Sequence, residues 1–525
     1  MRSVMVNQFR SVPDAKIPRS SFDRSHGIKT TFDAGKLIPI YVDEALPGDT
    51  FNMKMTGFAR MATPIFPLMD NIRLETFFFA VPIRLVWDNW QKFNGEQINP
   101  GDSIDFLIPK ITDGGLIAES TLGDYFGLPT GVPLNNVTSL FHRAYALIWN
   151  EWFRDENLQN SLTVPTDDGP DNIGALGIHL PQRRGKRHDY FTSCLPWPQK
   201  GDSVSIPLGN TAPVMGDGSP IYINDSISKD ARIEINSVDG NIYGASLNMP
   251  NGIARFGKVT DSSLTGLQAD LTNATAATIN QLRQAFQIQK LQERDARGGT
   301  RYTEIIRSHF GVISPDQRLQ RPEFLGGGST PLNITPVAQT SETSANSPQG
   351  NLSGYGTAAM QGHGFVKSFT EHCILIGLVN ARADITYQQG TPRMFSRRTR
   401  YDYYWPALAQ IGEQAVLNKE IYTQGSADDD QVFGYQERYA EYRYKPSMIT
   451  GKFRSNATGS LDAWHLSQDF ATLPVLNASF IEDNPPMDRV LAVPSEPDFI
   501  FDAFFRLKCA RPMPLFGIPG LIDHF

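Results

Sequence analysis

The sequence predicts an all-β protein, a sandwich or barrel, on three observations. The stretch 64–90, PIFPLMDNIRLETFFFAVPIRLVWDNW, starts by alternating, with Ile72, Leu74 and Thr76 on one side and Arg73 and Glu75 on the other. It then turns apolar on both sides at Phe77, Phe78, Phe79, Ala80 and Val81. A β-branched and aromatic strand of that kind needs a second layer on top of it. Near the other end, Phe499, Phe501, Ala503, Phe505 and Leu507 oppose Asp502, Arg506 and Lys508, the alternation of a half-buried strand. The third observation is 44 Gly and 36 Pro in 525 residues, a supply of turns suited to many strands and long loops.

Taken in order, residues 1–30 carry Arg2, Arg10, Lys16, Arg19, Arg24 and Lys29 against Asp14 and Asp23, with prolines and serines and no periodicity, and read as an extended basic arm. LIPIYVDEA and FNMKMTGFARM read as strands around the turn Leu46-Pro47-Gly48-Asp49, leading into the apolar strand as a meander. Residues 91–135 read as loop. Val137, Leu140, Phe141, Ala144, Ile148 and Trp152 then fall at helical spacing, predicting a helix that packs across the sheet.

Residues 202–276 are small and polar, with short strand-like pieces such as 221–223 and eight Asp or Glu against four Lys or Arg. They read as a long surface insertion. A second helix starts near Thr278; Ile279, Leu282 and Phe286 form one stripe while Ile288 and Leu291 lie on another side, so it should touch more than one neighbour before Gly298-Gly299 stops it. Residues 326–364 read as a Ser/Thr/Gly-rich loop. Cys373, Leu375, Gly377, Val379, Ala381 and Ile385 predict one face of a further strand. The domain reading is therefore an arm (1–30), a first core part (31–201), a protruding insertion (202–276) and a second core part (277–525).

No apolar run is long enough to span a membrane, and MRSVMVNQFRSVPDAK lacks the apolar segment of a signal peptide, so neither membrane insertion nor secretion is expected. Cys194, Cys373 and Cys509 are far apart, which signals no disulfide framework and no thiolate metal site. Gly101-Asp102-Ser103 and Gly201-Asp202-Ser203 read as turns rather than esterase elbows. The glycine runs around Gly326 and Gly354 lack the lysine of a phosphate cradle. His372 and Cys373 point to opposite faces, and Asp428, Asp429 and Asp430 lack calcium-loop spacing. No catalytic, cofactor or metal residue is therefore assigned.

A net charge of −7 argues against a chain coated in nucleic acid, yet two local clusters are basic. One is Arg183, Arg184, Lys186 and Arg187. The other, Arg393, Arg397, Arg398 and Arg400, runs into Tyr401, Tyr403, Tyr404 and Trp405. Cations beside aromatics suit single-stranded nucleic acid; they equally suit ion pairs and cation–π contacts between loops or subunits. Arg2, Arg10, Lys16, Arg393, Arg397, Arg398 and Arg400 are the candidate nucleic-acid contacts.

HDYFTSCLPWPQKG (188–201) closely resembles the major capsid proteins of gokushoviruses, a subfamily of the small icosahedral single-stranded DNA bacteriophages called microviruses. IPRSSFDRSHGIKTTFDAG, LPGDTF, QKLQERDARGGTRYTEII, PDQRLQRPEFLGG, YQERYAEYRYKPS and the ending PLFGIPGLIDHF agree in order. The resemblance covers most of the chain except about 202–276.

It implies an eight-stranded antiparallel viral jelly roll with helical and loop insertions, sixty copies of which close into a shell, and a long insertion projecting at threefold axes. It also implies an internal scaffolding protein, a DNA pilot protein, a small basic DNA-binding protein, a circular single-stranded genome and a host cell-surface receptor as partners. The expected location is the virion capsid, assembled in the bacterial cytoplasm, with no catalytic residue carried over. The competing class is a soluble β-sandwich carbohydrate-binding protein or glycosidase, weakened by the lack of convergent carboxylates.

Overall fold

The structure, a computed structural model, describes residues 18–112, 117–134, 136–202, 204, 279–312, 320–345 and 348–516, with the backbone of six short strands between 214 and 269. The chain divides into two compact units, Gln199–Arg294 and the remainder. The main unit is built from β1 (Ser20–Asp23), β2 (His26–Phe32), β3 (Ile38–Ala45), β4 (Thr50–Met61), β5 (Ile72–Pro82), β6 (Glu323–Pro331), β7 (Asn333–Ala338), β8 (Leu352–Ser368), β9 (Cys373–Ala383) and β12 (Phe499–Arg511). β10 (Glu413–Leu417) and β11 (Val432–Glu437) form a separate hairpin between β9 and β12.

Two antiparallel sheets face each other. The six-stranded one runs β1-β12-β4-β8-β7, with β2 also on β12, and the four-stranded one runs β6-β5-β9-β3. Their inner faces interdigitate: Phe51, Met53 and Met55 of β4 and Phe501 and Phe505 of β12 meet Phe78 of β5 and Leu375 and Val379 of β9 in one core. Parity sorts β5 as its sequence requires. Phe78 and Ala80 enter the sandwich, while Phe79 and Val81 point the other way.

The outer face of the four-stranded sheet is closed by α1 (Leu140–Trp152), whose Leu140, Ala144, Tyr145, Ile148 and Trp149 pack on Phe79, Val81, Ile374 and Ile376. The expected helix across the sheet is therefore present. Arg143, fully buried, anchors it. Its guanidinium grips the Asp171 carboxylate at 2.6 and 2.7 Å and donates to the Val86 and Asp167 carbonyls at 2.9 Å each. Burial pushes the Asp171 carboxyl up, but the bonds from Arg143 outweigh it and hold it below the usual range.

Four expectations are corrected. Residues 326–364 are not a loop; they supply most of β6 and all of β7, together with most of the 17-residue β8. Their glycines are space requirements: a Cβ on Gly327 would collide with the Thr76 carbonyl oxygen, and one on Gly364 with that of Met53. Both lie close to register breaks, Phe324/Gly326 and Gln361/His363. Nor do β3, β4 and β5 form a meander. β3 pairs with β9, whereas β4 lies between β8 and β12 in the opposite sheet.

The described part of the arm is strand, since β1 and β2 pair with β12 through backbone bonds that side-chain periodicity does not report. Finally, α2 (Ile279–Gly298) does touch more than one neighbour, but through polar side chains, Arg297 with Glu413 and Glu437 and Asp295 with His309, while the predicted apolar positions Phe286, Ile288 and Leu291 are exposed in the single chain. In the second unit, paired strand fragments include Tyr222–Asn224 with Arg255–Gly257 and Val214–Gly216 with Leu267–Ala269. No helix of the described residues is long and apolar enough to cross a membrane.

Two tests follow from this packing. Phe501→Ala should cost about 3–5 kcal/mol in urea unfolding, and Ile500→Ala, one residue away on the solvent face, should stay within about 0.5 kcal/mol. His142 of α1 is buried against Phe126 with no hydrogen-bond partner among the described residues, and burial pushes its imidazole down to about 4. The unfolded chain binds that proton near pH 6.5, so the stability is fully present above that pH and is lost on acidification. The loss should be about 1.4 kcal/mol per pH unit and roughly 3 kcal/mol by pH 4. His142→Phe should flatten the acid limb measured by urea unfolding from pH 7 to 4.

Candidate nucleic-acid interface

The 393–405 segment has no strand or long helix; short helical turns, Arg393–Phe395 and Arg400–Asp402, shape it. Asp402 fixes the second by accepting from the Arg398 and Thr399 amides at 2.8 and 2.6 Å, bonds that hold its carboxyl below the usual range. Beneath lies a satellite core of Tyr190, Phe191, Val416, Ile421 and Phe433 around the β10–β11 hairpin.

Two of the four arginines face this core. Arg393 donates to the buried Glu420 carboxylate at 3.0 Å and to the Ala415 carbonyl at 2.8 Å, while Tyr190 donates to the same carboxylate at 2.9 Å. Burial raises the Glu420 carboxyl against the opposing pull of Arg393. Arg397 reaches Glu441 at 3.2 Å and lies 4.3 Å over the Tyr442 ring. Arg398 and Arg400 are exposed, Arg400 sitting 4.9 Å over Trp405, and Tyr401, Tyr403 and Tyr404 are more than half exposed. The cluster is thus divided between internal ion pairs and an open aromatic and cationic rim. Arg2, Arg10 and Lys16 lie outside the described residues.

The 183–187 cluster is structural. Arg184, Arg187 and Arg382 converge on Glu75, Arg187 also reaches Asp384 at 3.1 Å, and Lys186 is buried 4.6 Å over the Phe480 ring. Other sequence candidates resolve plainly. Asp102 accepts from the Asn99 amide at 2.9 Å, as a turn residue does, and Ser203 lies outside the described residues. His372 lies against Trp90 while Cys373 enters the sandwich core, so the two face opposite ways. Asp429 accepts from the Gln424 and Gly425 amides, and Lys419 binds Asp430 at 2.6 Å, which makes that acidic run a turn.

A cavity of about 750 Å³ in the main unit is lined by Glu156, Glu304, Arg297, Glu413 and Glu437 among others. Its glutamates already engage Arg301 or Arg297, and Asp155 accepts from the Asn157 and Leu158 amides at 2.9 and 3.0 Å, which leaves no free acid pair of the glycosidase kind. Among the described residues no cluster of three or more His, Cys, Asp or Glu could hold a metal ion.

Reasoning from runs of charge misses another basic and aromatic surface. On the outward face of the six-stranded sheet, Lys54, Phe58 and Arg60 of β4 lie beside Phe504, Arg506 and Lys508 of β12, all exposed. The signal that finds it is strand parity combined across two segments far apart in sequence.

Arg393→Ala should destabilise the hairpin region by about 3 kcal/mol, because it strips a buried carboxylate of its partner. Arg398→Ala should leave stability unchanged. Limited proteolysis within 410–440 with thermal unfolding would separate the two, and equal behaviour of both variants would contradict the division.

The comparisons with known proteins fit this picture of a site without chemistry. A family model described as capsid protein (F protein) matches residues 10–521. The chain is 48% identical to the capsid protein VP1 of Bdellovibrio phage phiMH2K, over 99% of this chain and 98% of that protein. It is 46% identical to capsid protein VP1 of Chlamydia phage 1, over 99% and 98%, and 38% identical to capsid protein VP1 of Spiroplasma virus 4, over 98% of each. These matches run from end to end and bear out the resemblance read from the motifs, so the chain belongs to the phage capsid protein (F protein) family, among its gokushovirus-type members, and is a structural protein of the virion rather than an enzyme.

Proposed function

We propose that sixty copies of this chain close into an icosahedral shell around a circular single-stranded DNA genome. The observation that carries the reading is similarity over nearly the full length to capsid proteins of three phages. Strand order supports it. With β2, β3, β4, β5, β6, β8, β9 and β12 renumbered 1 to 8, the sheets run 1-8-3-6 and 2-7-4-5, the nested arrangement of a jelly roll. A closed shell also requires one chain to present several different faces at once, which long loops between short strand ends supply.

Within this reading the chain assembles in the bacterial cytoplasm with an internal scaffolding protein, a DNA pilot protein and a small basic DNA-binding protein. The basic arm, with Arg398 and Arg400, faces the packaged DNA. Residues 202–276 protrude at the threefold axis toward a host receptor. That assignment rests on composition and on their falling within the separate compact unit Gln199–Arg294. Long insertions cost a fold little, about 0.6 kcal/mol of closure entropy per doubling of length.

Expression of the chain with its scaffolding partner, followed by electron microscopy, should give uniform closed particles; a persistent monomer would contradict the shell. Replacing residues 205–269 by a short Gly/Ser linker should leave a soluble, cooperatively folding β-rich protein whose particles bind cells poorly. Outright misfolding would place the segment in the core, and normal attachment would remove its proposed role.

A further inference from the structure

We propose that the outward face of the six-stranded sheet is a stacking platform for single-stranded nucleic acid, with Phe58 and Phe504 as the base-stacking rings and Lys54, Arg60, Arg506 and Lys508 as the phosphate contacts. The inference rests on the reading above that the chain encloses single-stranded DNA, and it names a surface for that contact distinct from residues 1–17 of the arm and from the 393–405 segment.

The geometry comes from the register. In the β4–β12 pair, Thr56 lies opposite Phe504, Phe58 opposite Asp502, Arg60 opposite Ile500, and Lys54 opposite Arg506. Phe58 and Phe504 are therefore diagonal neighbours on one face, about 7–8 Å apart at the backbone, a step that an extended single strand can match with one base on each ring. Each ring is 50% exposed, and Ile500 beside them is 60% exposed. Apolar side chains scattered singly on a surface need no explanation, but two phenylalanines and an isoleucine grouped on one sheet face do. Aromatic rings set among cations on an open sheet are what stacking recognition of single strands uses.

Charge selects the occupant. Lys54 and Arg506 are cross-strand neighbours, and like charges directly opposite destabilise a sheet unless an anion lies over them. Two carboxylates stand on the face: Asp502 is already engaged by Lys29 of β2 at 3.0 Å, and Asp23 of β1 lies directly opposite Lys508, so Lys54, Arg60 and Arg506 are left with no carboxylate opposite them. Two protein occupants are disfavoured by sign. The chain's own arm carries Arg2, Arg10 and Lys16 against Asp14, and a second copy packed face to face would set this cationic patch against itself. A polyphosphate chain with exposed bases satisfies both the charge and the rings.

The test uses the purified full-length chain and a fluorescent oligodeoxythymidine of about 20 nucleotides, with binding measured by anisotropy against salt. Four neutralised phosphates at ~0.7 each predict a log–log salt slope contribution of roughly −2.8, and the double change Lys54→Gln with Arg506→Gln should make the measured slope shallower by about 1.4. Phe504→Ala should weaken binding roughly 5- to 150-fold with circular dichroism unchanged. Its effect on a duplex of equal length should be small.

Arg398→Ala with Arg400→Ala serves as the comparator. If that pair abolishes binding while the sheet variants bind normally, the platform is overturned and the DNA reading stands; if no variant alters binding, both fall. Cross-linking of an iododeoxyuridine-substituted strand to the unaltered chain provides a readout that does not depend on variants folding. Adducts in peptides holding Phe58 or Phe504 support the platform, and adducts confined to other peptides overturn it. Sheet variants that dissociate a dimer while leaving DNA binding unchanged would assign the face to a second copy instead.

Discussion

A strand that cannot meet water on either side governs the main unit. Phe78 and Ala80 of β5 lie in the sandwich while Phe79 and Val81 lie under α1, so both covers must be in place together. Each buried aromatic or aliphatic side chain of that size is worth about 1.5–3 kcal/mol. The helical insertion is thus the second lid of the strand, not an appendage. Arg143 makes the lid specific, because a fully buried guanidinium is tolerable only where Asp171 and the carbonyls of Val86 and Asp167 meet it together. One side chain therefore ties α1 to the loop after β5 and to the turn at 167–171.

The same closure sorts the cations. Glu75, also on β5, gathers Arg184, Arg187 and Arg382 at the edge of the lid, with Asp384 and Asp483 nearby. Burial pushes the Asp483 carboxyl up to about 6 and lowers Arg382 to about 10 and Lys186 to about 8, so charge there is held at a desolvation cost by its neighbours. Such arginines are committed to the fold. A dense run of basic residues in this chain marks loop anchoring more often than it marks a ligand surface. Besides Arg398 and Arg400, the exposed cations among the described residues include Lys54, Arg60 and Arg506, which strand alternation turns outward one at a time.

That contrast explains what could be read from residues alone. β5, β9, β12 and α1 were legible because size and parity or helical spacing coincide in them, Phe499 to Leu507 most clearly. β6, β7 and β8 were not, because Gly327 and Gly364 are demanded by neighbouring carbonyls, and a glycine-rich string looks the same in a loop. Partners were harder than faces: nothing in LIPIYVDEA says that it pairs with residues more than three hundred positions later. For the candidate site, the aromatic rim at 401–405 was visible as a run. The inward turn of Arg393 and Arg397 was not, because Glu420 and Glu441 are distant in sequence.

The two layers of the sandwich are consequently unequal. The four-stranded sheet spends its outer face on α1, and on β5 and β9 that face is apolar from Phe77 to Val81 and from Ile374 to Leu378 before it turns polar at Glu75, Asn380 and Arg382. The six-stranded sheet keeps Asn52, Lys54, Thr56, Phe58 and Arg60 of β4 and the matching positions of β12 open to solvent. An antiparallel sheet can do this because its face needs no crossover helices, whereas the lid over β5 is obligatory. The layer that α1 leaves bare is free to vary its outward side chains without touching the core, since each of them alternates with a buried residue that already holds the strand in place.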